Sequence, residues 1–291
     1  MSTTKATAAE LRLAAVRAGL SPISVRPALA DYLRSLWQRR HFIVAFASAR
    51  NIATFADARL GQLWQVITPV LNAGVYFLVF GVLLTTRRGV PNYVAFLVIG
   101  IFIFTYTQRS VLNGAKAING NLDLIRALHF PRAALPLANV LVELQQLAVS
   151  MVVMIAIVLA TGERPELSWL LVVPALLLQT LFCIGASMVI ARIGANSRDL
   201  SQLLPFILRS WLYVSGVFYS IRVFTAHAPA AVRMLLDANP GAVYIELVRK
   251  ALLRDHVPTH HVWGYALFWA LFSFVGGFLF FYRGEQGYGR G

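Results

Sequence analysis

Long apolar runs separated by short polar turns set the reading of this chain. Residues 60–86 contain no Lys, Arg, Asp or Glu. That exceeds the roughly 20 residues a helix needs to cross a bilayer core, and it predicts a first spanning helix over 67–86. Comparable runs predict further spans over 93–112, 137–161, 167–191, 202–221 and 261–282. The second carries Arg109 near its far end, the third Glu143, and the fifth both Pro205 and Arg209.

Ahead of residue 60 the pattern changes. Over 31–55, Leu33, Leu36 and Trp37 fall on one helical face, with Arg34 and Arg39 away from it. Residues 42–47 are apolar but too short to span. This predicts an amphipathic helix lying in the membrane interface, arginines toward lipid phosphates. Residues 1–30, rich in Ala and Arg with Pro22 and Pro27, predict a loose tail with a short helix over 8–18. The domain reading is a tail plus interfacial helix over 1–55 and a single membrane domain over 56–291.

Three polar stretches join the runs. Residues 113–136 are rich in Asn, Gly and Pro, and 192–201 form a basic loop. Residues 222–258 are mixed and Pro-broken, with helix-like pieces over 230–238 and 242–253. In the second piece Glu246, Arg249 and Arg254 separate from Val243 and Leu247, which predicts a polar face on an amphipathic helix.

Composition agrees with a membrane protein. The 291 residues are 58% apolar and 13% charged, against about 25% charged in soluble domains, and the mean hydropathy is +0.66. Lys plus Arg outnumber Asp plus Glu by 26 to 12. The excess flanks apolar spans and lacks a basic–aromatic motif, which argues against nucleic acid. With the N-terminus inside, 16 Lys and Arg fall in inner segments and 3 in the short outer turns. The positive-inside bias therefore places both termini in the cytoplasm and 222–258 outside.

Chemistry is sparse. The single cysteine, Cys183, sits in an apolar run and reads as a small buried hydrophobe. No phosphate-binding loop of the form G-x-x-x-x-G-K-[ST], no His-Glu-x-x-His and no close carboxylate pair occurs. A membrane-embedded enzyme, such as a glycosyltransferase, gains little support. Glu143 reads as a structural carboxylate near a helix end. Arg209 either faces a polar lumen or snorkels to the interface. His260 and His261 read as interfacial.

Three stretches carry a family resemblance. T-F-A-D-A-R-L-G-Q-L-W-Q-V-I-T-P resembles R-Y-K-x-S-x-L-G-x-L-W-x-x-x-x-P through Leu60, Gly61, Leu63, Trp64 and Pro69. It departs at Thr54, Ala56 and Ala58, where Arg, Lys and Ser are usual. Residues 121–136 resemble L-I-[KR]-x-x-x-F-P-[KR]-x-x-L-P through Leu124, Ile125, Arg126, Phe130, Pro131, Arg132, Leu135 and Pro136. Asn239 and Pro240, with Glu246, Arg249, Leu252 and Leu253, resemble N-P-x-x-x-x-x-E-x-x-R-x-x-L-L. Over residues 31–285 the chain resembles the permease subunit of polysaccharide-exporting ABC transporters, the Wzm-type family.

The resemblance implies an all-α membrane protein with six transmembrane helices and an N-terminal interfacial helix. It also implies a cytoplasmic coupling helix formed by Asn121, Leu122, Asp123, Leu124, Ile125 and Arg126, capped by Asn119 or Asn121. Asn239, Pro240, Glu246 and Arg249 would belong to short outer re-entrant gate helices. The implied partners are a second copy of the chain, two copies of an ABC ATPase subunit that binds ATP and Mg, membrane lipids, and a polyprenyl-diphosphate-linked polysaccharide such as O-antigen, galactan or teichoic acid. No cofactor or metal is expected in this chain, and the location implied is the bacterial plasma membrane. The Ala/Arg-rich composition suggests a high-GC bacterium, and within the resemblance that implies a galactan exporter of the mycobacterial type. Tyr76, Trp211 and Tyr213, with Arg209 near the entrance, are expected to line the conduit, because aromatic faces suit sugars. A drug or small-lipid efflux permease is the same-class alternative.

Overall fold

A computed structural model describes residues 28–56, 59–83, 90–128, 130–197, 199–225, 228–254 and 261–285. The expected helix over 8–18, residues 85–89 of the turn expected over 85–92, and His260 lie outside them. Every regular element among the described residues is helical. In chain order these are α1 (Leu29–Gln38), α2 (Arg40–Thr54), α3 (Trp64–Tyr76), α4 (Tyr93–Ala115), α5 (Leu122–Ala127) and α6 (Ala134–Ala160). They continue with α7 (Val172–Asn196), α8 (Leu200–Val214), α9 (Ile221–Phe224), α10 (Ala230–Asp237), α11 (Pro240–Leu252) and α12 (Val262–Gly284).

Among the described residues, four helices are long and apolar enough to cross a membrane: α4, α6, α7 with its leading turn, and α12. The protein is thus a multi-pass membrane protein. Helix α4 is the central post. Its most apolar stretch is 78% buried, against 28% for α7 and α12, and it packs on α3, α6, α7, α8 and α11. A helix apolar all round belongs in such a position. Asn92 starts it by accepting the Ala95 N–H at 3.2 Å, and its amide reaches Glu163 at 2.9 Å beyond the end of α6.

The first expected span is built in two parts. Helix α3 runs to Tyr76 and continues as a π-helical turn over Phe77–Leu83. Pro69 lies inside α3 and cannot donate to the carbonyl of Gln65. Ser150 of α6 donates to that carbonyl instead, at 3.0 Å, the kind of side-chain repair a membrane helix needs.

The fifth expected span, 202–221, is corrected. Helix α8 stops at Val214, and Gly216 takes a left-handed conformation at φ +65°. A helix does not continue through that backbone. The single interfacial helix expected before residue 56 is two helices, α1 and α2, meeting at Arg39. Trp37 is 70% exposed there, with Arg40 over its ring at 5.1 Å. The basic loop expected at 192–201 is shortened, because α7 runs on to Asn196.

Helices α7 and α12 make the closest pairing of the bundle through glycine. A Cβ on Gly185 would strike the backbone at Ser273, and one on Gly277 would strike the backbone of Gly185. Small residues that let backbones approach are a common way to associate helices in lipid. Gly276, one position away, faces open space. We predict that Gly277→Ala lowers the thermal midpoint of the purified protein by several degrees, through an overpacking cost of about 1–3 kcal/mol. Gly276→Ala should leave it unchanged in the same melt.

Candidate functional site

The turn that ends α8 exposes a row of carbonyls, and side chains collect nearly all of them. Asn239 donates to Val214 O at 3.2 Å, and the Tyr93 hydroxyl donates to Phe218 O at 3.0 Å. Between them Arg249 donates to Gly216 O at 2.8 Å and to Val217 O at 2.9 Å. The same guanidinium donates to Phe96 O of α4 at 3.0 Å and lies 3.3 Å from Glu246 Oε1. Gly100 makes the room, since a Cβ there would sit 2.6 Å from Arg249 Nη2.

This corrects the polar face expected for α11. Arg249 is fully buried and Glu246 nearly so. From Gly241 to Leu253 only Lys250 is exposed. The N-terminus of α11 is fixed equally firmly. Asn239 caps it by accepting the Gly241 N–H at 3.0 Å, and Pro240 occupies its first turn. The same Asn239 oxygen accepts the Trp211 indole N–H at 2.7 Å.

Tyr76, Arg209 and Tyr213 meet at one seam between α3 and α8. Phe218 is its buried hub, with ring-centre distances of 4.8 Å to Tyr76, 4.3 Å to Phe80 and 5.4 Å to Tyr213. Arg209 and Tyr213 are one turn apart on the exposed face of α8, and both act electrostatically on Tyr76. Trp211 is not part of this seam, contrary to expectation. Its ring points to the other side of α8, against Phe104 at 5.5 Å and Phe182 at 6.5 Å.

The residues expected to form a coupling helix make the short helix α5 behind a tight turn at Asn119–Asn121. Neither asparagine caps it, a second correction. Asn119 donates to Gly194 O and Asn121 to Ala117 O, each at 2.8 Å. The first ties the element to α7, and the second closes the turn that follows α4. Leu122, Leu124 and Ile125 are half-buried on a platform that includes Tyr32, Phe281 and Tyr282. Asp123, Arg126 and Leu128 are exposed. Behind the platform Arg132 bonds Glu285, and the Tyr32 hydroxyl accepts the Ala133 N–H at 3.1 Å.

At this same end Glu143 is built into a network rather than sitting alone. It accepts from Asn113 at 2.6 Å, and Arg109 and Arg50 both face it electrostatically. Arg50 bonds Asn139 at 2.8 Å, and Arg109 bonds Gln146 at 3.1 Å. Cys183 is buried, as read from its apolar run.

Residues 43–253 match the ABC-2 type transporter family. The chain belongs to that family. The match runs from α2 to the end of α11, so it takes in the seam, the short helix and the Arg249 cluster. This ABC-2 permease is 28% identical to the O-antigen export system permease protein RfbA of Myxococcus xanthus over 208 residues, 72% of this chain and 78% of that one. It is 27% identical to an RfbA of Klebsiella pneumoniae over 219 residues, 73% of this chain and 82% of that one. With the polysialic acid transport protein KpsM of Escherichia coli the identity is 23% over 211 residues, 72% of this chain and 80% of that one. As an ABC-2 permease the chain is a transport component and works with an ABC ATPase.

The Arg249 cluster gives a direct test. A lysine has no planar fork and cannot serve carbonyls on both sides at once. Arg249→Lys and Arg249→Met should both lower the thermal midpoint of the purified permease. Each buried carbonyl left unpaired costs about 1–3 kcal/mol, and Arg249→Met, which also strands Glu246, should be the worse. Equal melts for the wild type and Arg249→Met would refute the clamp.

Proposed function

We propose that this permease is the membrane half of an ATP-driven exporter of a lipid-linked polysaccharide, of the O-antigen or capsule type. The observation that carries the reading is the seam of Tyr76, Tyr213, Phe218 and Arg209 between α3 and α8, in a chain whose relatives bear O-antigen and polysialic acid names. Aromatic faces accept sugar rings without selecting one sugar, and a nearby arginine suits a diphosphate link. Leu71 and Val75 of α3, Leu78 of the π-helical turn, and Leu203, Phe206 and Ile207 of α8 are exposed beside the seam. A second copy meeting the first across these faces would enclose the seam in a shared conduit.

In this reading α3 with its π-helical turn, and α8 with the turn after it, complete six spans. Both termini and α5 lie in the cytoplasm, in a bacterial plasma membrane. Two ATPase subunits bind ATP and Mg and grip α5 through Asp123, Arg126 and the outer edges of Leu124 and Ile125. Helices α10 and α11 close the outer side. With α11 held by Arg249, α10 is the part left to move. Galactan is one cargo within this class, suggested by an Ala/Arg-rich composition of high-GC bacterial type.

The test is export of glycan by the assembled transporter. Tyr76→Ala and Tyr213→Ala should slow export about tenfold, on the scale of a lost aromatic–sugar contact of about 1–1.5 kcal/mol, with basal ATP hydrolysis retained. Charge reversal at Asp123 and Arg126 should separate hydrolysis from export while the chain still inserts. Photo-cross-linkers at positions 76, 209 and 213 should capture glycan during turnover. Capture of acyl lipid alone would overturn the conduit, and full export of a small hydrophobic drug without glycan would favour an efflux permease.

A further inference from the structure

The link from α5 to α6 needs hydrogen-bond partners that its own residues do not supply. Helix α6 starts at Ala134 with no side-chain cap of its own, and the first N–H groups of a helix have no partner inside it. Ala134 and Leu135 close short turns onto Pro131 and Arg132. Pro131 and Pro136 carry no N–H. The N–H groups of Arg132 and Ala133 remain, and Ala133 is fully buried, where an unpaired donor is costly.

Both acceptors come from far along the chain. Glu285, the residue after α12, accepts the Arg132 N–H at 2.9 Å through Oε1. The Arg132 guanidinium in turn donates to the Glu285 carbonyl. A carboxylate thus stands at the start of α6 and a cation at the end of α12, the two placements that helix dipoles favour. The Tyr32 hydroxyl of α1 takes the Ala133 N–H at 3.1 Å. Its ring centre lies 5.2 Å from that of Tyr282 and 6.0 Å from that of Phe278, both on α12. Helix α12 therefore reaches the link twice, once directly and once through Tyr32.

The other side of α5 is tied to α7, where Asn119 donates to Gly194 O at 2.8 Å. Helices α7 and α12 are themselves in close backbone contact at Gly185 and Gly277. Helix α5 has six residues, too few to hold its own direction, since isolated helices below about 12–15 residues are marginal. Its pose is set by two fixed points on one tightly packed pair, and Glu285 holds the second.

We propose that Glu285 and Arg132 form a positioning latch. The reciprocal cap fixes the exit of α5 to α12, so that a push on α5 moves α6 and α12 instead of bending the link. Tyr32 is the second tie. The latch rests on the coupling role given to α5 above. None of the three residues belongs to the cargo seam, so they act on transport through the pose of α5.

The test reads glycan exported per ATP hydrolysed by the permease and its ATPase in proteoliposomes, and hydrogen exchange on the purified full-length permease. Glu285→Ala should speed exchange at Arg132, Ala133 and α5. It should also lower export per ATP about fivefold, the scale of one net hydrogen bond, with complex assembly retained. Glu285→Gln should restore both readouts, because its amide oxygen still accepts the Arg132 N–H. Wild-type exchange in Glu285→Ala would overturn the latch. Faster exchange with unchanged export per ATP, or export and hydrolysis falling in step, would overturn the positioning role and leave only a structural cap. The exchange readout needs neither cargo nor ATPase, so it stands even if the charge reversals at Asp123 and Arg126 refute α5 as the coupling helix. Should Glu285→Ala not fold, Tyr32→Phe removes the Ala133 acceptor alone, and wild-type values for both readouts in that variant overturn the proposal.

Discussion

One guanidinium fixes the end of this bundle that carries α11. A chain that breaks a helix inside a membrane must give its freed carbonyls new partners, because lipid offers none. Helix α8 breaks after Val214, and the partners come from three places: Asn239, Arg249 and Tyr93. Arg249 does the largest share, because its planar fork reaches two turn carbonyls and the Phe96 carbonyl of α4 together. Lysine could not. The cost of burying its charge is offset by Glu246 one helical turn away. The spacing of Glu246, Arg249 and Asn239-Pro240 thus has a physical reason: cap, counter-ion and clamp on one short helix.

The long helices were legible because apolar runs of spanning length have few other solutions. Helices α4, α6, α7 and α12 fall within a few residues of the runs that predict them. The α11 cluster was not legible in the same way. A Glu and an Arg three apart on an amphipathic helix look like a solvated face, and the contact that buries them comes from Phe96, 153 residues away. Trp211 shows a different failure. Residues 209 and 213 are one turn apart, while 211 lies half a turn off, so helical geometry alone separates it from them. Grouping the aromatics by composition hid that. The end of α8 was visible in Gly216 only once its positive φ was known. Asn119 and Asn121 sit where caps belong, yet Asn119 serves the Gly194 carbonyl of α7 and Asn121 the Ala117 carbonyl four residues back. Local pattern could not weigh the first of these, which is a tertiary contact.

The distribution of hard and soft contacts suggests how force would travel. Helix α4 leads into α5 at one end, through Asn121 and Ala117, and is gripped by Arg249 near the other. It has 23 residues, so it spans roughly 35 Å. A rod buried on every side transmits a push with little bending, because close-packed interiors compress poorly. In the coupling role proposed for α5, a displacement there would reach the Arg249 cluster as a rigid-body movement of α4 with α11.

The α3–α8 seam is built differently. Its contacts are rings around Phe218, and α3 turns π-helical beside them. Ring contacts slide at low cost, since dispersion has little directional preference, while the Arg249 bonds must break to move. A π-helical turn often marks a functional site in a helix. Under load the seam yields before the cluster does. The lipid-linked glycan proposed as cargo would need a path that widens without unfolding its walls. Placing the directional bonds on the α4–α11 side and the sliding contacts on the α3–α8 side separates those two demands within one chain.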